Sequence, residues 1–373
     1  MRIVHDRLHL ALPVGLALLC LGCGDDGAPS PSASGPVLGP RTGEQRCFAT
    51  ALQSSSPLAS DTSPGAAPEW LSAADCFDDI SARVPGADLI PFAVASQLWT
   101  DGAAKQRYLV LPPGERIVAE DDGTWLFPVG SVLLKHFAYD VGGPRVVETR
   151  VLLRRQGGWE AHSYEWLPDG SDAKRLDAWK EASFDTPLGV VSHLFPARSS
   201  CEACHSPSAA FVLGPTTSQM NRQVKWEGAS GNQIDALVAI EALETTTPAS
   251  DLPAMPDPHS GASAEGRARA YLHANCAHCH RPGGWVPAEL DMDLRYDRSL
   301  AETRTCGVPL QFGILFGKNR IEPGDPDASA LMDRIQSQGP SRMPPMGTRL
   351  VDPTGVAVLR EYIAGLKACP PNP

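Results

Sequence analysis

Val147-Glu148-Thr149-Arg150-Val151-Leu152-Leu153 and Trp159-Glu160-Ala161-His162-Ser163-Tyr164-Glu165-Trp166 stand on either side of Gln156-Gly157-Gly158. Both runs are rich in β-branched and aromatic residues, and the glycines between them supply a turn. The pattern predicts an antiparallel hairpin. Working outward, segments 106–111, 124–128, 131–139, 146–154 and 159–166 read as short strands separated by Gly, Pro and Asp turns. Residues 98–179 are therefore expected to form an antiparallel β domain.

The composition bounds the rest. Hydrophobic residues make up 42% of the 373, enough for packed cores, and this length suggests about two domains. Gly 34 and Pro 35 point to long loops and linkers. Net charge is −11, from 32 Lys+Arg against 43 Asp+Glu, with no basic run. Phosphate contacts dominate nucleic-acid affinity, so this balance excludes nucleic acid as the expected partner.

At the N-terminus, Arg2 and Arg7 precede the apolar run 8–21, which Gly22-Cys23 follows. That run is too short to span a bilayer and has the build of a secretory signal. Cys20-Leu21-Gly22-Cys23 resembles a bacterial lipobox, although Cys20 stands where that motif usually has an aliphatic residue. The resemblance implies lipidation of Cys23 and a periplasmic or outer-membrane-associated lipoprotein. Residues 24–68 are rich in Gly, Pro, Ser and Ala and read as a flexible tether. The expected partition is a signal peptide at 1–22, a tether at 23–68, a β-rich domain at 69–250 and a second domain at 251–373.

Ten cysteines remain to be assigned. Four sit in two identical frames, Cys201-Glu202-Ala203-Cys204-His205 and Cys276-Ala277-His278-Cys279-His280. With Cys20 and Cys23 set aside, Cys47, Cys76, Cys306 and Cys369 are left. An even number in an oxidising compartment reads as two disulfides. Three connectivities are open; Cys47–Cys76 with Cys306–Cys369 is the favoured one.

Cys-x-x-Cys-His is specific because covalent haem chemistry uses every position. Two thiols add across the two haem vinyl groups, and the adjacent histidine becomes the proximal iron ligand. The expected cofactors are two haem c groups, with His205 and His280 as ligands. A zinc site made from four Cys and two His is the rival, as is a redox Cys-x-x-Cys, which would not need the histidine.

Around the second frame, 263–275 reads as a helix with Ala264, Ala268, Tyr271 and Leu272 on one face. Arg281-Pro282-Gly283-Gly284 follows, and the Pro282 carbonyl is expected to accept from the free nitrogen of His280. A second helix is expected at 327–336 and a third at 353–367, opened by proline. Val356, Leu359, Tyr362, Ile363 and Leu366 stripe the third. Between them lies Met343-Pro344-Pro345-Met346.

This order over 260–369 resembles the small helical cytochrome c domain. The resemblance implies His280 and Met343 as axial ligands, with Met346 as the rival methionine. Phe127-Pro128-Val129-Gly130-Ser131, then Gly157-Gly158-Trp159, then the first frame, looks like the β-sheet cytochromes called cytochrome c′-beta. Relatives of that kind often leave one haem face free. Residues 70–369 also resemble an uncharacterised family of exported di-haem proteins, through Glu148-Thr149-Arg150, Phe195-Pro196-Ala197-Arg198 and the Leu213-Gly214-Pro215-Thr216 stretch running on to Asn221. The expected fold class is α+β, an antiparallel β domain carrying the first haem frame followed by an all-α cytochrome c domain.

Candidates for the distal ligand of the first haem are Met220, His136, His162 and His193. Arg150, Arg154 and Arg198 are candidates to pair with haem propionates. The leading functional expectation is electron transfer with other exported redox proteins. The alternative is an enzyme or gas-binding protein acting at an open first haem, and a third is a surface binding module. The di-haem peroxidases fit poorly, because both of their haem domains are helical.

Overall fold

The computed structural model describes residues 38–41, 43–53 and 66–371. The signal segment, Cys20, Cys23 and most of the expected tether lie outside the described residues.

The centre is a six-stranded antiparallel sheet of β1 (Ile90–Pro91), β2 (Ala104–Val110), β3 (Val132–Asp140), β4 (Pro144–Arg155), β5 (Gly158–Trp166) and β6 (Ala173–Leu176). Its order is β6-β5-β4-β3-β2-β1, all antiparallel, and between β2 and β3 the chain leaves the sheet for two short strands, Ile117–Ala119 and Trp125–Leu126, of a separate three-stranded sheet. The hairpin expected from Gln156-Gly157-Gly158 is present: β4 and β5 pair from Arg155↔Gly158 to Glu148↔Glu165. Gly158 has φ 135°, a conformation that side-chain-bearing residues avoid.

Side chains alternate across the sheet, and both faces are covered. One face sends Leu134, Val151 and Tyr164 into a core with Cys47, Phe48 and Leu71. The other sends Leu109, Leu133 and Leu152 against Trp125, Met220, Ile234 and Leu237. The folded part thus begins earlier than expected. Cys47, Phe48 and Ala51 are buried, and the disulfide Cys47–Cys76 ties them down. A hairpin of β7 (Lys180–Thr186) and β8 (Gly189–Phe195) runs into a short helix, α1 (Arg198–Glu202).

The expectation of an α+β chain ending in an all-α cytochrome c domain is overturned. Strand accounts for 26% of the structure and helix for 20%, so sheet is the larger share. After α2 (Gln233–Ala239), the C-terminal region holds α3 (Ala264–Asn275), α4 (Ala330–Gln336) and α5 (Pro353–Gly365). Between α3 and α4 the chain is irregular, with isolated bridges at Cys306↔Ile321 and Pro309↔Asn319. The reason lies in the residues. Pro282, Gly283, Gly284, Pro287, Pro309, Gly313, Gly317, Pro323 and Pro326 punctuate that stretch, and such residues remove amide donors or add backbone freedom that a helix must freeze.

The helices that do form are held by packing. A twelve-residue helix such as α3 is marginal alone in water. Ser263 caps it by accepting from the Gly266 amide at 3.1 Å. Ala268, Tyr271 and Leu272 pack against Val358, Leu359, Tyr362 and Ile363 of α5. Gly355 lets the two helices meet, because a Cβ there would lie 2.1 Å from Tyr271 Cζ. The disulfide Cys306–Cys369 joins the irregular stretch to the C-terminus.

The C-terminal region is also bonded into the β region. The Trp99 amide donates to Asn275 Oδ1 at 2.7 Å, and its indole N–H donates to the Leu350 carbonyl at 3.1 Å. The Asp101 carboxylate accepts from the Arg349 and Leu350 amides at 2.7–2.9 Å. These contacts set the end of α3, and therefore Cys276, against the sheet. Among the described residues no helix is long and apolar enough to cross a membrane.

Candidate functional site

The two Cys-x-x-Cys-His frames fold alike. In the first, the amides of Cys204 and His205 donate to the Cys201 carbonyl at 3.2 and 2.9 Å. In the second, those of Cys279 and His280 donate to the Cys276 carbonyl at 3.1 and 2.9 Å. Each frame is thus a single turn with both thiols and the histidine set by one carbonyl. The first turn continues α1, delivered by β8; the second continues α3.

The frames also meet. The ligand atoms of Cys204, His278 and Cys279 all lie within 4.8 Å of one another. Hydrogen bonding from Cys279, and then from His278, holds the Cys204 thiol below its ordinary pKa, and the same contact pushes Cys279 up. Cys201, Cys204, Cys276 and Cys279 are free thiols, whereas Cys47, Cys76, Cys306 and Cys369 are paired in the two disulfides. A cavity of about 810 Å³ brings together Cys201, Cys204 and His205 of one frame with Ala277, His278 and Cys279 of the other. That volume falls in the ~300–1,000 Å³ range of pockets that enclose a ligand.

His205 is prepared as a ligand. Its Nδ1 donates to the Phe211 carbonyl at 2.5 Å. The carbonyl is brought there by a tight loop in which Ala210 and Phe211 have φ 53° and 62°. Burial, opposed by that hydrogen bond, pushes the imidazole down to about 4. It is therefore neutral near pH 7, with Nε2 left to bind a metal. His280 is likewise pushed down to about 4, first by burial and then by His278, Arg320 and Arg334. Its Nδ1 is buried with no hydrogen-bond partner among the described residues, so the bond expected from the Pro282 carbonyl is not made. Its own carbonyl accepts from the Leu294 amide at 3.0 Å.

The donor set suits haem c: paired thiols on a fixed turn, a neutral imidazole with one nitrogen free, and a cavity of ligand size. Cys201, Cys204 and His205 would hold one group, and Cys276, Cys279 and His280 the other. The Cys204–His278–Cys279 cluster would equally suit a zinc ion, because thiolate and imidazole are its usual ligands.

The methionines separate. Met346 borders the large cavity. Met343 packs beside Trp99, Tyr271 and Ile335 in a small pocket of its own. Among the distal candidates, Met220 is fully buried, and its sulfur accepts from Gln233 at 3.4 Å. His136 lies on the sheet face opposite to Lys135, its Nδ1 2.6 Å from the Thr149 hydroxyl. His193 has both ring nitrogens engaged, with Glu148 at 2.8 Å and Tyr139 at 2.9 Å. His162 borders the cavity, 2.9 Å from Glu160. Of the three arginines, Arg150 borders the cavity and is held by two bonds of 2.9 Å to the buried Glu148. Arg154 lies 5.9 Å from the centre of the Trp159 ring, and Arg198 is 3.6 Å from Glu160.

Sequence reasoning missed Lys135, Arg107 and His278, all of which border the cavity. Strand alternation was the available signal for Lys135, because it and His136 must point to opposite faces. Comparison with protein-family models, curated proteins and solved structures finds no match.

Proposed function

We propose that this chain is a di-haem c-type cytochrome that transfers electrons in the cell envelope. One haem is attached at Cys201 and Cys204 with His205 as axial ligand. The other is attached at Cys276 and Cys279 with His280, and Met343 is its proposed second ligand. The observation that carries the reading is that both Cys-x-x-Cys-His frames fold as the same single turn, each placing two thiols and a histidine around one carbonyl. Haem c bound there supplies a one-electron ferric/ferrous couple. The chain's own part is to hold both attachment points against each other and keep both imidazoles neutral. The proposed setting is a lipid anchor on Cys23, with another exported redox protein as partner.

A second reading, an enzyme or gas-binding protein working at an open first haem, has one observation in its favour. Met220, His136 and His193 are engaged elsewhere, and His162 is tied to Glu160. A visible spectrum of the reduced protein before and after carbon monoxide separates the two. No change in either haem supports the relay, whereas a shift in about half of the signal moves the assignment to the second reading.

A further inference from the structure

Three basic side chains stand in one row across the central sheet. Arg107 is paired directly with Lys135, and Lys135 directly with Arg150. Direct partners share a face, and all three border the cavity that holds His205. Like charges opposed on neighbouring strands are destabilising, the more so away from water.

The row is only partly answered within the protein. Glu148 neutralises Arg150. Arg107 reaches the uncharged Gln97 at 3.4 Å. The Lys135 ammonium has no hydrogen bond or ion pair with any described residue, and lies 4.8 Å from the centre of the Phe137 ring. Burial first, then Arg107, Lys105 and Arg150, holds its ammonium well below the ordinary lysine value, with Glu148 opposing. Glu120, Asp121 and Asp122 also border the cavity, but they are exposed, where water and salt screen them.

We propose that the Arg107–Lys135–Arg150 row is a binding site for a carboxylate or a small oxyanion inside this cavity, beside His205. The anion has two possible sources. One is the propionate of the haem attached at the first frame, which rests on the function proposed above. The other is a free small anion admitted from solution, which does not.

The experiment uses the full-length mature protein with its haem counted. Acetate and nitrate are titrated by calorimetry at constant ionic strength into the wild type, Lys135→Gln and Arg107→Gln. Circular dichroism checks each variant's fold, and the second variant carries the comparison where one does not fold. Saturable binding that both variants weaken tenfold or more supports a free anion. No binding by the wild type, together with a lower midpoint potential of one haem in both variants, supports the propionate. Saturable binding lost in the variants of a chain that carries no haem keeps the anion site and removes the haem reading. No binding and unchanged potentials overturn the proposal.

Discussion

Cys204 and Cys279 come from turns far apart in the sequence, yet their sulfur atoms lie within 4.8 Å of each other. One turn is delivered by a β-hairpin and the other by α3. The bonds between Trp99 and Asn275, and between Asp101 and the 349–350 amides, fix the two carriers together. The account of function depends on this meeting.

Attachment should be separable. The double variant Cys201→Ser with Cys204→Ser is expected to lower the haem content from two per chain to one and to leave the second frame loaded. Pyridine haemochrome assay after denaturing wash reads the count. An unchanged count would remove the first frame from the account.

Met343→Ala is expected to lower the midpoint potential of one haem while both stay attached, because a thioether ligand favours ferrous iron. Redox titration of each haem measures it. An unchanged potential, with a fall in Met346→Ala instead, would transfer the role to the methionine that borders the shared cavity.

Glu148 is fully buried and answers Arg150, His193 and Ser163. Glu148→Ala strips the half-buried Arg150 of its carboxylate and leaves the buried His193 and Ser163 without theirs, and is expected to cost about 3 kcal/mol in urea unfolding. A cost near zero would show that Arg150 finds another anion.

The same carboxylate sets an acid limit. Burial alone would raise Glu148, but Arg150 and then His193 outweigh it and hold it at about 2 instead of the ordinary 4.5. Glu160 is also held at about 2, by His162 and Arg155 against burial. A depressed carboxylate stabilises the fold above its unfolded value and loses that contribution as pH falls towards its folded value. Stability is therefore expected to decline between pH 4.5 and about 2. Urea midpoints across that window test it, and a flat profile would contradict the pairing.

Gly355→Ala tests the contact of α3 with α5. Helix propensity alone would stabilise the variant by about 1 kcal/mol. The clash with the Tyr271 ring is expected to reverse the sign, at a cost of about 1–3 kcal/mol, as overpacking usually does. Thermal unfolding gives the sign directly.

The strands were legible because period-two patterns and Gly turns act locally; 131–139 became β3 with a shift of one residue. Both disulfides formed in the favoured pairing. The all-α expectation fails because three real helical segments are separated by a stretch whose Pro and Gly residues, from Pro282 to Pro326, hold it irregular, and helical spacing on either side does not reveal that. Placing His136 on a strand does not say which sheet face it takes, and that depends on register. His136 and Lys135 are neighbours, and only Lys135 borders the cavity. The meeting of the two frames could not be read locally, since it depends on Trp99 and Asp101 gripping residues far along the chain.

The most direct measurement is a count of covalent haem and of zinc per chain, by pyridine haemochrome and elemental analysis, after expression with a working cytochrome c maturation system. The account predicts two haems and no zinc. A chain without haem that instead holds a zinc ion, released by Cys204→Ser or Cys279→Ser, would contradict it and assign the facing thiols to a metal centre.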